Sequence, residues 1–363
     1  MTESKKIALI CNYELLPERV GGMDYFFWMF DAKCKKNGIQ VDWFFPNQSQ
    51  HGDYSKLTIF NSNYQNVENY FLDFCIQNQT TYSFIITHFI ELCTPFFKKI
   101  KQVSKAKVVA IDHNPRPIDG YPFKKKMEKK IKGFLFSKYI DQFIGVSNYT
   151  VKEIISDFGT QVRSKTRTIY NGVVIKDIKV RTQRNVIHPN FLVVSHLRES
   201  KGIQDLIVAV SKLPSPILSG IRIDLFGDGP LKDFLIKSVH QHQLDSNFRF
   251  MGSQPNLNAL YCQYDYMLQP THMECFSLSI LESLAANVPV ITTDVGGNEE
   301  AVLDSENGYI FKAKDVKALT TLLEQVYLGK KKIELNTRAV IENHFSLDHM
   351  VENHLALLFN NKF

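Results

Sequence analysis

No run of apolar residues in this 363-residue chain approaches the length needed to cross a membrane. The opening MTESKK leads straight into IALIC, which is too short an apolar core for a signal peptide with its cleavage site. Cysteine is sparse and scattered. Cys11, Cys34, Cys75, Cys93, Cys262 and Cys275 form no C-x-x-C pair, so neither a zinc knuckle nor a disulfide framework is expected. A cytoplasmic chain with reduced thiols is the expectation. G-x-S-x-G, H-E-x-x-H and the Walker sequence are missing as well, so hydrolase, zincin and P-loop readings lack their marks. A G-x-G-x-x-G fingerprint is also absent, because Lys232 stands where a third glycine would follow Gly227 and Gly229. That counts against a dinucleotide oxidoreductase.

What is present is an ordinary globular composition, 44% apolar, on a chain long for one hydrophobic core. Short β-type runs alternate with helical-length segments: KIALICN with Met23 to Lys36, VDWFF with Val67 to Gln79, SFIIT with Pro95 to Val103, then KVVAI, QFIGVS and TRTIY. Strand, helix, strand in sequence predicts right-handed crossovers and a parallel sheet. Apolar periodicity lapses between Lys176 and Asn190 and then resumes through FLVVSH, IRIDLF, FRFM, YDYMLQ, VPVIT and GYIF. The expectation is α/β: two doubly wound, Rossmann-like domains in tandem over 1–172 and 190–345, joined by a linker over 173–189. The tail 346–363 reads as a further amphipathic helix with Ser346 at its N-cap.

Ligands of doubly wound sheets bind beyond the carboxyl ends of the strands. Several loops there carry suitable residues. Gly21 and Gly22 follow the first strand, where glycine lets backbone approach a phosphate or a sugar, although an ordinary turn reads the same way. Arg198 and Lys201 put two cations in SHLRESKG, where a diphosphate would sit. Glu274 lies in the loop after YDYMLQ and Glu282 within SLSILESLAA, where a carboxylate can accept hydrogen bonds from vicinal ribose hydroxyls. Leu278 and Ser279 at that helix start offer N–H donors to phosphate. Taken alone, either glutamate reads more simply as a surface charge. His88 follows SFIIT and His113 follows KVVAI, both on the ligand side of the first domain, where a histidine is more often structural than catalytic.

The segment ECFSLSILESLAANVPVITTDVGGNEEAVLDSENGYIF resembles the signature of glycosyltransferase family 4, and VGGMDYFF, FIGVSNYTVKEI, TIYNGV, SHLRESKGIQDLI and LFGDGPLKDFL match in order. The resemblance spans most of the chain. It implies the GT-B architecture, two Rossmann-like domains facing a central cleft with the C-terminal helix returning to the first, and sugar transfer with retention of anomeric configuration. By the same resemblance Glu282 is the ribose-binding glutamate, and Glu274 contacts the donor sugar near its reacting carbon. Leu278 and Ser279 bring backbone amides to the diphosphate, Lys201 binds phosphate, Gly21 and Gly22 form the first domain's glycine loop, and His88 is a histidine at the cleft. The family's usual arginine five residues before the lysine is here His196, leaving the role to that imidazole or to Arg198. No metal or other cofactor is expected, and no D-x-D occurs. A nucleotide-sugar donor and a glycan or lipid-linked acceptor are the implied partners, in bacterial surface polysaccharide or glycoconjugate assembly. A nucleotide-sugar epimerase on the same fold and a non-catalytic nucleotide-binding protein are the competing readings.

One feature falls outside that pattern. Between Lys98 and Lys138 stand twelve lysines and Arg116 against Asp112, Asp119 and Glu128, an excess larger than the whole chain's net charge of +6. With Phe123, Met127, Ile131, Phe134 and Leu135 interleaved, Pro122 to Lys138 fits an anionic surface, such as the inner face of the plasma membrane, as well as it fits a solvated basic helix. Nucleic acid is not expected, since no recognised binding motif accompanies the charge.

Overall fold

The structure, a computed structural model, describes residues 5–359. The chain divides into two compact units, one comprising 1–115, 120–171 and 347–363, the other 116–119 and 172–346.

The first unit is built on a seven-stranded sheet of β1 (Lys6–Cys11), β2 (Gln40–Phe45), β3 (Thr58–Asn61), β4 (Phe84–His88), β5 (Lys107–Asp112), β6 (Gln142–Gly145) and β7 (Thr166–Thr168), in the order β3-β2-β1-β4-β5-β6-β7. Every pairing is parallel. Its central strands are continuous apolar runs because helices cover both faces. These are α1 (Gly22–Lys36), α2 (Val67–Asn78), α3 (Pro95–Val103), α4 (Phe123–Phe136) and α5 (Asn148–Phe158). Edge strand β3 is short and only half-buried, so its sequence carries no clear alternation.

The second unit repeats the plan with β8 (Phe191–Val194), β9 (Ile223–Phe226), β10 (Phe248–Gly252), β11 (Tyr266–Gln269), β12 (Val290–Thr293) and β13 (Gly308–Phe311) in the order β10-β9-β8-β11-β12-β13, again all parallel. Its helices are α6 (Ile203–Ser211), α7 (Ser215–Leu218), α8 (Lys232–Gln241), α9 (Leu257–Leu260), α10 (Leu278–Ala285), α11 (Asn298–Ala301), α12 (Val316–Tyr327) and α13 (Arg338–His344). Two doubly wound α/β units are thus present.

Residues 173–189 are not a free linker. Fully buried Asp265 accepts hydrogen bonds from the Arg181 guanidinium at 2.5 Å, the Asn185 amide at 2.6 Å and the Asn190 amide at 2.9 Å. Arg184 donates to the Asn287 side chain and the Ile333 carbonyl. Lapsed apolar periodicity marks a strap held by charge and carbonyl contacts, which a hydrophobicity pattern does not register.

The last helix, α14 (Leu347–Phe359), starts one residue after Ser346 and packs against α1 of the first unit. It brings His354 into a buried cluster of three imidazoles. The His88 ring stacks 5.3 Å from His113 and 6.3 Å from His354, between centroids, and Phe26 and Phe27 close the group. Burial holds all three neutral: His88 well below its usual range, and His113 and His354 down at about 4. The unfolded chain binds these protons from about pH 6.5, so between there and about pH 4 it carries more protons than the folded one. Stability of the first unit should therefore be full above pH 7 and fall as pH drops through 6 to 4.5. Trp28 and Trp43, the chain's two tryptophans, both lie in that unit, so the urea midpoint of their fluorescence at each pH measures the fall, and His354→Phe should reduce its slope.

Candidate active site

The second sheet changes direction between β8 and β11, since the chain runs outward through β9 and β10 and returns to β11 beside β8. At such a switch point the helices after the two strands lie on opposite faces, leaving a crevice at the strand ends. The loops that enter it are Ser195 to Gly202, after β8, and Pro270 to Ser277, after β11.

The two loops are tied together. The Ser200 carbonyl accepts from the His272 amide at 2.8 Å and from the Thr271 hydroxyl at 3.1 Å. His272 Nε2 meets the Asp205 carboxylate at 2.7 Å, fastening the second loop to the first turn of α6. Gly202 has φ +67°, and a Cβ there would overlap the Pro270 carbonyl, so only glycine allows this approach.

This bracing places Lys201 against Glu274. Lys201 Nζ donates to Glu274 Oε2 at 2.6 Å, with the two side chains 21% and 15% exposed. Gln269 Nε2 lies 3.4 Å from the same oxygen, and Glu274 Oε1 accepts from the Cys275 amide at 3.2 Å. Behind the carboxylate sits the glycine pair of the V-G-G sequence. Gly296 has φ +65°, a Cβ on it would overlap the Glu274 carbonyl, and the Gly297 amide donates to the Cys275 carbonyl at 2.9 Å.

From Glu274 the chain passes into α10. Gln269 engages the Ser277 hydroxyl at 2.9 Å, and no side chain caps the helix. The amides of Leu278 and Ser279 therefore remain as donors at its positive end. One turn on, Glu282 is half-buried and accepts from the buried Tyr261 hydroxyl at 2.8 Å. Burial raises its carboxyl to about 7, opposed by that hydrogen bond.

The remaining predicted residues fall as follows. His196 and Arg198 are exposed in the β8 loop, and the Arg198 amide donates to the His196 carbonyl at 2.8 Å. In the first unit, Gly21 precedes α1, and its amide donates to Asp24 at 2.9 Å; Gly22 is the first residue of that helix. His88 ends β4 in register with Cys11 of β1, at that sheet's own switch point. Its ring, expected to face a ligand, is fully buried, and its Nδ1 lies 3.1 Å from His113 Nε2. Sequence reasoning missed Gln269, Asp205 and His272, whose partners stand up to 67 positions away. No group of His, Cys, Asp or Glu among the described residues is arranged to hold a metal ion.

Residues 174–343 match the profile of the family described as glycosyl transferases group 1. That stretch covers most of the second unit, which is therefore similar to group 1 glycosyltransferases. Glycogen synthase of Mycobacterium tuberculosis is 30% identical over 189 residues, covering 51% of this chain and 45% of that protein. The chain thus spans under half the length of that relative. Among solved structures, the lipopolysaccharide outer core galactosyltransferase WaaB in its apo form is similar at a TM-score of 0.74 and 17% identity, over 98% of this chain and 99% of that one. Anabaena Alr3699/HepE in complex with UDP-glucose is similar at 0.72 and 16%, over 98% and 99%. These likenesses are of fold: GT-B, two Rossmann-like domains of parallel sheet.

The position of Gly296 makes a direct test. Gly296→Ala adds a Cβ against a backbone carbonyl at a positive φ, and should cost the second unit about 2 kcal/mol or more. A lowered urea midpoint by circular dichroism, with the tryptophan transition of the first unit unmoved, is the expected result.

Proposed function

We propose that this chain is a retaining glycosyltransferase that moves a hexosyl residue from a nucleotide sugar to a glycan or lipid-linked acceptor, in the assembly of bacterial surface polysaccharide or glycoconjugate on the cytoplasmic side. The observation that carries the reading is the meeting of Lys201, Glu274 and the uncapped start of α10 at the switch point, with Glu282 one turn along the same helix. A diphosphate needs a cation and N–H donors, and a ribose needs a fixed carboxylate; the arrangement offers both at the spacing of one helical turn.

In this reading Lys201, Arg198 and the amides of Leu278 and Ser279 stabilise charge on the departing diphosphate, with the His196 imidazole as a further donor beside them. Glu274 contacts the donor sugar near its reacting carbon, and Glu282 accepts from the ribose hydroxyls. The acceptor hydroxyl attacks from the face the diphosphate leaves and passes its proton to that leaving group. Electrostatic stabilisation comes from side chains and amides, so no metal or other cofactor is assigned a role. Gly21, Gly22 and His88 are the first unit's candidates, grouped at the ends of β1 and β4; the neutral His88 imidazole suits hydrogen bonding more than charge. Uridine diphosphate sugars are the first donors to try, since HepE, similar in fold, was solved with UDP-glucose.

Thermal denaturation with uridine, guanosine and deoxythymidine diphosphate sugars tests the donor site. At a hundredfold excess over Kd a true donor contributes about 2.7 kcal/mol, raising the melting temperature by roughly 5–10 °C. Lys201→Met should abolish the shift, and no shift with any of the three would reject the assignment. Because hydroxyl donors favour the ionised carboxylate, and burial puts Glu282 at about 7, affinity should climb from pH 6 to pH 8 and become flat in Glu282→Gln. Glu274→Ala should leave binding largely intact and lower kcat by about 10²–10³, read from labelled product. Labelled donor epimer formed without acceptor would identify an epimerase instead.

A further inference from the structure

An amphipathic helix of a soluble domain normally turns its apolar side inward. In α4 the order is inverted. The buried positions of α4 are Lys129 and Gly133. A Cβ at Gly133 would overlap the Phe158 carbonyl, so the glycine lets α4 lie directly on α5. Lys129 is buried with it, paired to Asp157 at 3.1 Å and set 4.7 Å and 5.1 Å from the ring centroids of Tyr121 and Phe158. The large apolar side chains are left outside. Phe123 and Phe134 are each 80% exposed, and Met127, Ile131 and Leu135 are exposed between and beside them. At 100° per residue these five fall within about 120° of one another, as a single stripe.

Lys126 and Lys130 border that stripe along one side, and Lys124 falls within its arc in the first turn of the helix. Lys124, Lys126 and Lys130 are exposed and enter no ion pair among the described residues, whereas Lys125 and Lys132 are neutralised by Glu128, and Lys132 by Glu91 as well. The unpaired charge therefore belongs to the stripe and to one of its borders.

We propose that α4 docks the first unit on an anionic lipid surface, its phenylalanines entering the boundary between headgroups and acyl chains while Lys124, Lys126 and Lys130 stay among the phosphates. Charge and apolarity together select this occupant. A second copy laid on the same face would bring lysine rims of one sign together, and a nucleic acid backbone offers nothing to a stripe of Phe, Met, Ile and Leu. Each lysine near such a surface contributes about 1 kcal/mol, and the aromatic rings supply the apolar part. Neither term depends on the donor site.

The test is flotation of the full chain with vesicles of phosphatidylcholine alone and with added phosphatidylglycerol, alongside light scattering without lipid. Anionic vesicles should carry the protein up, and neutral ones should leave most of it behind. Replacing Lys124, Lys126 and Lys130 together by glutamine should weaken vesicle binding about a hundredfold. Phe123→Ser with Phe134→Ser should abolish it, while the tryptophan melting curve and the nucleotide-sugar thermal shift stay as in the parent, which separates a lost surface from a lost fold or donor site. Equal recovery with both vesicle types, or binding unchanged in the serine variant, overturns the proposal. So does a lipid-free dimer that the serine variant dissolves, which would assign the face to a second copy, and so does tight RNA binding that the serine variant keeps.

Discussion

The Ser200 carbonyl, held from across the switch point by the Thr271 hydroxyl and the His272 amide, is the contact on which the arrangement of the second unit's strand-end loops depends. Parallel strands bring the ends of β8 and β11 side by side, but the loops beyond them are long enough to wander. Two hydrogen bonds to one oxygen, with the His272–Asp205 contact behind them, remove that freedom and set Lys201 within 2.6 Å of Glu274. Glycines complete the constraint from two sides. Gly202 admits the Pro270 backbone and Gly296 admits that of Glu274, so the backbone on either side of the ion pair sits where a larger residue would push it away.

Charge is distributed by burial in opposite senses in the two units. In the first, three imidazoles are kept neutral by a phenylalanine-rich core, so they are held as packing groups with a latent cost in acid. In the second, the Glu282 carboxyl is lifted to about 7 and keeps one strong donor, Tyr261, so it titrates where most carboxylates are already ionised. The same desolvation disfavours the charged form in both places, lowering the imidazoles and raising the carboxyl, so that only Glu282 is brought toward neutral pH.

Much of the fold was legible because alternating apolar runs and amphipathic segments report a parallel sheet directly, and the strands from KIALIC to GYIF fall where the pattern puts them. Lys201 and Glu274 could be picked out as single residues in loops after strands. Their pairing could not, since it is made by Ser200, Thr271, His272 and Asp205 over gaps of more than sixty positions. The strap over 173–189 was hidden because Arg181 and Arg184 bind an aspartate and carbonyls, contacts with no apolar period. His88 was placed at the correct strand end, but its burial depends on α14 arriving from the far end of the chain. For α4 the amphipathic pattern was plain and its orientation was not: the choice rests on Gly133 lying against the Phe158 carbonyl.

The closure of Lys201 on Glu274 bears on what the site ignores. A lone ammonium at the foot of a crevice would collect any passing sulfate or inorganic phosphate. This one already has a carboxylate at 2.6 Å, so a small anion must displace that partner with nothing else to hold it. A ligand that spans one turn of α10 reaches the helix amides and Glu282 as well, and can take the lysine without leaving its own far end unbound. In the donor site proposed above, the crevice would thus discriminate by length, with the internal ion pair setting the threshold.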